Sequence, residues 1–145
     1  AAGLTMKEKN VELFRRRLND NCTLTEQDLI PKIMIDVPMP ISYLSKKLTE
    51  QLKVLEPFGK GNSKPLFAQK NLRAVGIRVL GRNRNVAKML LIDENGIKMD
   101  AVYFGEAQEF ADFVQAHDTI SVTYYPEINV FQGRENLQVV IKNYC

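Results

Sequence analysis

Five short alternations of apolar and polar residues, interrupted once by a helical stretch, run from Leu72 to Lys142. Leu72–Leu80, Val86–Ile92 and Ile97–Phe104 read as three successive strands, because their apolar residues recur with period two. Gly81–Asn85 separates the first pair. Asp93-Glu94-Asn95-Gly96 separates the second, and its Asn-Gly pair favours a primed two-residue turn. The period then changes: over Glu106–Ala116, Phe110, Ala111 and Val114 gather on one side of a helix. Thr119–Tyr125 returns to alternation with Ile120, Val122 and Tyr124 facing inward. After a Gln132-Gly133-Arg134 turn, Leu137–Lys142 does the same with Leu137, Val139 and Ile141. Three strands, a helix and two strands is the order of a Greek-key OB barrel. An SH3-like barrel is the structural competitor, but it has no helix at that place. The predicted class is mainly β with flanking helices (α+β): a five-stranded OB-fold barrel preceded by a helical segment.

Ahead of the barrel the apolar spacing is helical. Thr5 and Glu8 have capping-box spacing, and Val11, Phe14 and Leu18 follow at helical intervals. This predicts a helix over residues 5–20, stopped by Asn19-Asp20-Asn21. Lys32–Val37 alternates and is predicted as a strand ended by Pro38 and Pro40. Ser42 is the predicted cap of a second helix, with Leu44, Leu48, Leu52 and Leu55 as one apolar stripe and Pro57 and Gly59 as its stop. That stripe reads as core packing.

Composition narrows the function classes. The chain has 145 residues, 45% hydrophobic and 26% charged, the balance of a globular domain. No apolar run approaches the roughly 18 residues of a membrane span. The start, Ala1 to Met6, has no basic stretch leading into an apolar core, so it does not read as a signal peptide. It lacks an initiating methionine, which suggests a piece of something longer. Cys22 and Cys145 are isolated, which fits a reducing cytoplasm better than a disulfide scaffold. His117 stands alone, so neither a metal cluster nor a catalytic triad is expected. Gly59 to Lys64 looks like a phosphate loop but follows a helix instead of a strand.

Charge is segregated. Between Glu56 and Asp93 there is no acidic residue, while Lys60, Lys64, Lys70, Arg73, Arg78, Arg82, Arg84 and Lys88 all fall in that window. One sign over such a length suggests a groove for a polyanion. OB barrels hold oligonucleotides on one sheet face and with two loops. Those loops are read as Gly81–Asn85, with Arg82 and Arg84, and Asn129–Asn136, with Phe131, Gln132 and Arg134. Arginine supplies charge and a flat guanidinium, and amides can bond to base edges or sugars. Phe131, Phe104 and Tyr125 are the candidate stacking faces. Lys98 and Asp100 share parity with Phe104, which places it outside; Tyr125 follows the inward series and should point out. Arg73 and Arg78 differ in parity, and a bulge at Gly76 would bring them, with Lys88, to one face.

Leu55-Glu56-Pro57-Phe58-Gly59-Lys60-Gly61-Asn62, followed by Pro65 and Phe67, resembles the LEPFGxGN-x-x-P-x-F signature of bacterial RecJ single-strand-specific exonucleases. Ala1 to Thr5 resembles the segment after the GGH motif of that family's DHHA1 domain. Leu29-Ile30-Pro31 and Ile35-Asp36 resemble the connection that follows, and Asp100–Gly105 the third OB strand. Phe131-Gln132-Gly133-Arg134 stands where the family commonly has an aromatic-Asn-Gly-Arg turn; Gln132 departs from it, as does Ser63 where proline is usual. The resemblance implies a DHHA1 remnant over 1–31 and an OB domain over 32–145, with a helix and linker at 42–64 and the barrel at 65–145. It implies binding of single-stranded DNA for a 5′–3′ exonuclease of repair and recombination. The nuclease would use Mn²⁺ or Mg²⁺ held by a DHH domain whose ligands this chain lacks, so cleavage by the chain alone is not expected. The PFGKGN segment is expected to brace the OB domain in preference to touching DNA. The competing reading is a protein-docking OB module for a helicase or single-strand-binding protein.

Overall fold

Residues 3–145 are described by a computed structural model. Ala1 and Ala2, the first residues of the stretch likened to the DHHA1 segment, lie outside them. The chain divides into two units, one ending at Ile33 and the other spanning Met34–Cys145.

The first unit holds helix α1, Val11–Asp20, entered through a 3-10 turn at Glu8–Asn10. The expected Thr5–Glu8 capping box does not form. The 3-10 turn is capped at Lys7 without a side-chain bond, so Thr5 has no helical N–H to accept from. The capping box lies at Thr25–Asp28 instead, where Thr25 N–H and Oγ donate to the Asp28 carboxylate at 2.8 and 2.7 Å. These bonds, the backbone one first, hold Asp28 below the ordinary carboxylate range. No residue of α1 is buried, and Leu13 and Leu18 are half exposed.

The second unit is a closed barrel. Its strands are β1 (Val37–Pro38), β2 (Phe67–Leu80), β3 (Val86–Ile92), β4 (Lys98–Phe104), β5 (Ile120–Phe131) and β6 (Arg134–Tyr144). The sheet runs β1-β2-β3-β4-β6-β5, and β5 closes back onto β2. Only β1–β2 and β4–β6 are parallel. This is an OB barrel of five strands with a two-residue sixth strand on β2. Helix α3, Ala107–Ala116, sits between β4 and β5 as expected, and Phe110 and Ala111 are buried beneath it.

Several local expectations are corrected. The strand expected over 32–37 shrinks to Val37–Pro38: Ile35 and Val37 are both exposed, so the alternation there has no buried face to serve. Helix α2, Lys46–Leu52, is capped by Ser45 and not Ser42; Ser45 Oγ accepts from Leu48 N–H at 3.1 Å. Leu44, Leu48 and Leu52 pack on the core, but Leu55 falls in a 3-10 turn and is exposed. The β3–β4 connection is not a primed two-residue turn. Asp93 and Ile97 close it, only Gly96 has positive φ, and Asp93 Oδ1 accepts from Asn95 and Ile97 N–H at 2.9 and 2.8 Å. A buried aspartate that caps two amides selects the longer turn. The first barrel strand begins at Phe67, five residues before the expected start, because Asn71 in the left-handed region hides the continuation.

The interior holds Phe67, Leu72, Leu91, Val122, Tyr124, Val139 and Ile141, all nearly or wholly buried. Tyr124 donates its hydroxyl to the Met39 carbonyl, and burial pushes its pKa up, which keeps the donor protonated. Ile41 N–H donates to Gln69 Oε1 at 2.7 Å. Together these seat the 39–41 segment at the barrel.

Two outcomes follow. Asp93→Ala leaves two amides without their acceptor and should lower stability by roughly 1–3 kcal/mol in urea unfolding. Gln132 has φ of 49° in a two-residue turn with Gly133 at 74°, the primed type that favours Asn. Gln132→Asn should therefore raise stability by up to about 1 kcal/mol, seen as a melting point roughly 3–5 °C higher.

Candidate nucleic-acid interface

The outer face of the barrel is set by register. Arg73 pairs with Ile92, Val75 with Leu90 and Arg78 with Lys88, and the register shifts between Val75 and Arg78. Gly76, with φ of 65°, supplies the bulge. Arg73 and Arg78 thereby share the face of Lys88. Lys88, Leu90 and Ile92 lie opposite Val102, Asp100 and Lys98 on β4, and Asp100 lies opposite Gln138 on β6.

A groove of about 500 Å³ opens on this face. Val75, Leu80 and Leu90 line it with Arg78, Lys88 and Asp100 from β2, β3 and β4; Asn129, Asn136 and Gln138 line it from β5 and β6. Arg78 and Lys88 are direct cross-strand neighbours of like charge, an arrangement that destabilises a sheet. Among the described residues neither has a carboxylate partner, nor does any other cation from Lys60 to Lys88.

The expected loop Asn129–Asn136 is not a loop. β5 and β6 stay paired to its end: Asn129 with Asn136, Val130 with Glu135, Phe131 with Arg134. Only Gln132 and Gly133 turn. Two-residue primed turns match strand twist, so the ladder continues where turn-forming residues suggested coil. Phe131 is thus the last residue of β5, 64% exposed, directly across from Arg134. The pair shares the outer face with Asn129 and Asn136.

The remaining predicted residues sit as follows. Arg82 is exposed in the β2–β3 turn. Arg84, φ 51°, turns toward α3 and donates to Gln108 Oε1 at 2.7 Å; Gln108 in turn donates to Asp112. Its guanidinium therefore already holds a protein partner. Phe104 is exposed at the end of β4, beside that turn, where Gly105 N–H bonds to the Asn85 carbonyl. Tyr125 lies on the outer face of β5 but is half-buried, with Lys64 Nζ at 4.4 Å and Lys142 Nζ at 5.2 Å from its ring centre. Burial first, and Glu127 second, raise its pKa. The fold brings Arg78 and Lys88 into the groove, leaves Arg73 farther along β2, and puts Phe131, Gln132 and Arg134 at the hairpin tip.

Sequence reasoning placed Asn129 and Asn136 in a loop, not on strands lining the groove, and missed Gln138 and Asp100 as groove residues. Their signal was present: Glu127, Asn129 and Phe131 alternate, as do Arg134, Asn136 and Gln138. Reading Asn129–Asn136 as coil discarded that parity for the two asparagines; Gln138 and Asp100 already stood in predicted strands, facing opposite to the core residues. Among the described residues no three His, Cys, Asp or Glu side chains form a group able to hold a metal ion. Among them, too, no helix is long and apolar enough to cross a membrane.

Comparison with known proteins agrees with the fold. The single-stranded-DNA-specific exonuclease RecJ of Bacillus subtilis (strain 168) is 30% identical over 145 residues, covering 99% of this chain and 18% of its own length. The enzyme of that name from Escherichia coli (strain K12) is 25% identical over 146 residues, 99% of this chain and 25% of its own. This chain thus spans a quarter or less of these relatives. Crystal structures of RecJ from Thermus thermophilus, with Mn²⁺ and with Mg²⁺, match with a TM-score of 0.64 each. They are 19% and 18% identical, covering 99% and 96% of this chain and 20% of theirs, and share its fold. The RecJ OB domain model matches residues 35–143, and the chain belongs to that family.

Proposed function

We propose that the outer groove binds single-stranded DNA, and that the chain serves as the strand-holding module of a RecJ-type 5′–3′ exonuclease of repair and recombination. The observation that carries this reading is the unpaired Arg78–Lys88 couple beside a row of amides. Two facing cations without a carboxylate repel each other, and a phosphate between them relieves that repulsion. Asp100, on the floor between Leu90 and Gln138, repels phosphate and accepts from base N–H groups, the N3–H of thymine among them. The backbone then runs along Arg78 and Lys88 with bases toward Asp100 and the amides. At the hairpin tip Phe131 offers a stacking face and Arg134 a charge, with Arg82 and Arg73 extending the basic path. Arg84 acts in this reading mainly by fixing the β2–β3 turn on α3. Residues up to 31, whose apolar side chains Leu4, Leu13, Leu18, Leu24, Leu29 and Ile30 are exposed, are read as the end of a neighbouring DHHA1-type domain. No cleavage step and no metal is assigned to this chain; Mn²⁺ or Mg²⁺ enters only as the metal of a nuclease centre elsewhere in a longer protein.

The test is fluorescence anisotropy with oligo-dT and with duplex at several salt concentrations. Oligo-dT should bind better than duplex, with a log–log salt slope of roughly −0.7 per phosphate contacted. Lys88→Thr is the diagnostic substitution. It should weaken oligo-dT binding and flatten the slope by about 0.7, while raising stability by roughly 0.2–1 kcal/mol through loss of the like-charge pair. A variant weaker in both respects would assign Lys88 to packing. Absence of binding at low salt, together with capture of a helicase or single-strand-binding protein, would favour the docking reading instead.

A further inference from the structure

A second hollow, of about 230 Å³, lies outside the groove. Thr49, Leu52 and Lys53 from α2 and its end, Phe58 and Lys64 from the PFGKGN segment and its flank, and Tyr125 and Glu127 from β5 contribute to its walls. The segment is held rigidly. Gly59 and Asn62 exchange backbone hydrogen bonds at 2.8 and 3.2 Å, and the Asn62 amide donates to the Leu55 and Pro57 carbonyls at 2.7 and 3.1 Å. That bracing fixes where Phe58 stands; Lys64 follows two residues after Asn62.

We infer that this hollow is a base-stacking subsite, in which Tyr125 and Phe58 receive one nucleobase of the strand held in the groove. The inference rests on the groove reading above. Three observations support it. The two hollows adjoin, since Glu127 of one bonds Gln138 of the other at 3.4 Å. Tyr125, Glu127, Asn129 and Phe131 share one face of β5, so Tyr125 lies two residue pairs, about 14 Å, from Asn129. A strand following β5 from the hairpin tip passes over the groove and arrives at Tyr125.

The second observation is the aromatic pair itself. Lys64 Nζ sits 4.4 Å from the Tyr125 ring centre and 5.9 Å from that of Phe58, so a flexible cation now occupies the approach to both rings. An exposed cation–π contact is weaker than a base stacked on an aromatic face. A base therefore displaces the Lys64 head, which is then placed beside the phosphate. The third observation is charge. Lys53, Lys64 and Lys142 surround Tyr125 and the hollow against Glu56 and Glu127, a net positive rim suited to a phosphodiester.

The chain contains no tryptophan, which makes the test direct. Phe58→Trp places a sole tryptophan in the hollow. Oligo-dT should quench its fluorescence saturably, with the midpoint that anisotropy gives. In the Phe58 parent, Tyr125→Leu should raise the Kd about tenfold, and Lys64→Ala should flatten the salt slope by about 0.7. Circular dichroism and melting confirm that each variant is folded. Tryptophan emission unchanged while anisotropy reports saturation overturns the subsite and leaves the groove standing, as does a folded Tyr125→Leu variant within twofold of the parent. An unsubstituted chain that binds no oligonucleotide at all overturns the groove, and the subsite with it.

Discussion

The barrel depends on one bent strand. β2 is 14 residues long and, besides the two-residue β1, pairs on different stretches with two long partners: Phe67 to Leu72 with β5, Arg73 to Leu80 with β3. A straight strand could not reach both. Two register shifts turn it, one between Gln69 and Leu72 with Asn71 at φ 57°, the other between Val75 and Arg78 with Gly76 at φ 65°. Bulges add twist where a barrel must close. Without the first, β5 keeps β6 but loses its pairing with β2, and the barrel does not close over Tyr124. Without the second, Arg78 and Lys88 fall on opposite faces.

Fold and site are therefore linked through the same irregularity. The residue that bends β2 is also the residue that sets the like-charged couple on the groove wall. Like charges directly opposite one another destabilise a sheet, and here neither has a carboxylate partner among the described residues; the proposed binding role is what would offset that cost. The buried side of β2 shows no such conflict, with Phe67 and Leu72 enclosed by the core. Tension is confined to the face that meets solvent.

In the proposed subsite the PFGKGN segment joins bracing and DNA contact, two roles that looked like alternatives. Gly59 and Asn62 close a small loop on the 3-10 turn that follows α2, which is bracing. The same loop carries Phe58, and Lys64 just beyond it lies over both the Phe58 ring and Tyr125 of β5. The signature acts as a block because the loop's own hydrogen bonds set the aim of the side chains beside it.

Much of this was legible in the residues. Alternation placed β3, β4 and α3 nearly to their ends, because each buries one regular face. The Gly76 bulge was legible too, since two arginines of opposite parity flank a glycine. The Leu55–Asn62 signature pointed to the family before any coordinate did. What the sequence could not decide lay where local preference and tertiary pairing disagree. The strand reads as starting at Leu72, yet barrel closure extends it back to Phe67 through a bulge at Asn71. Asn129 to Asn136 reads as coil, yet the ladder runs through it because a two-residue turn suffices. Arg84 reads as a free cation, yet α3 places Gln108 within 2.7 Å of it. Side-chain type and period are properties of the chain; which backbone meets which, and so which charges share a face, is decided only when the barrel closes.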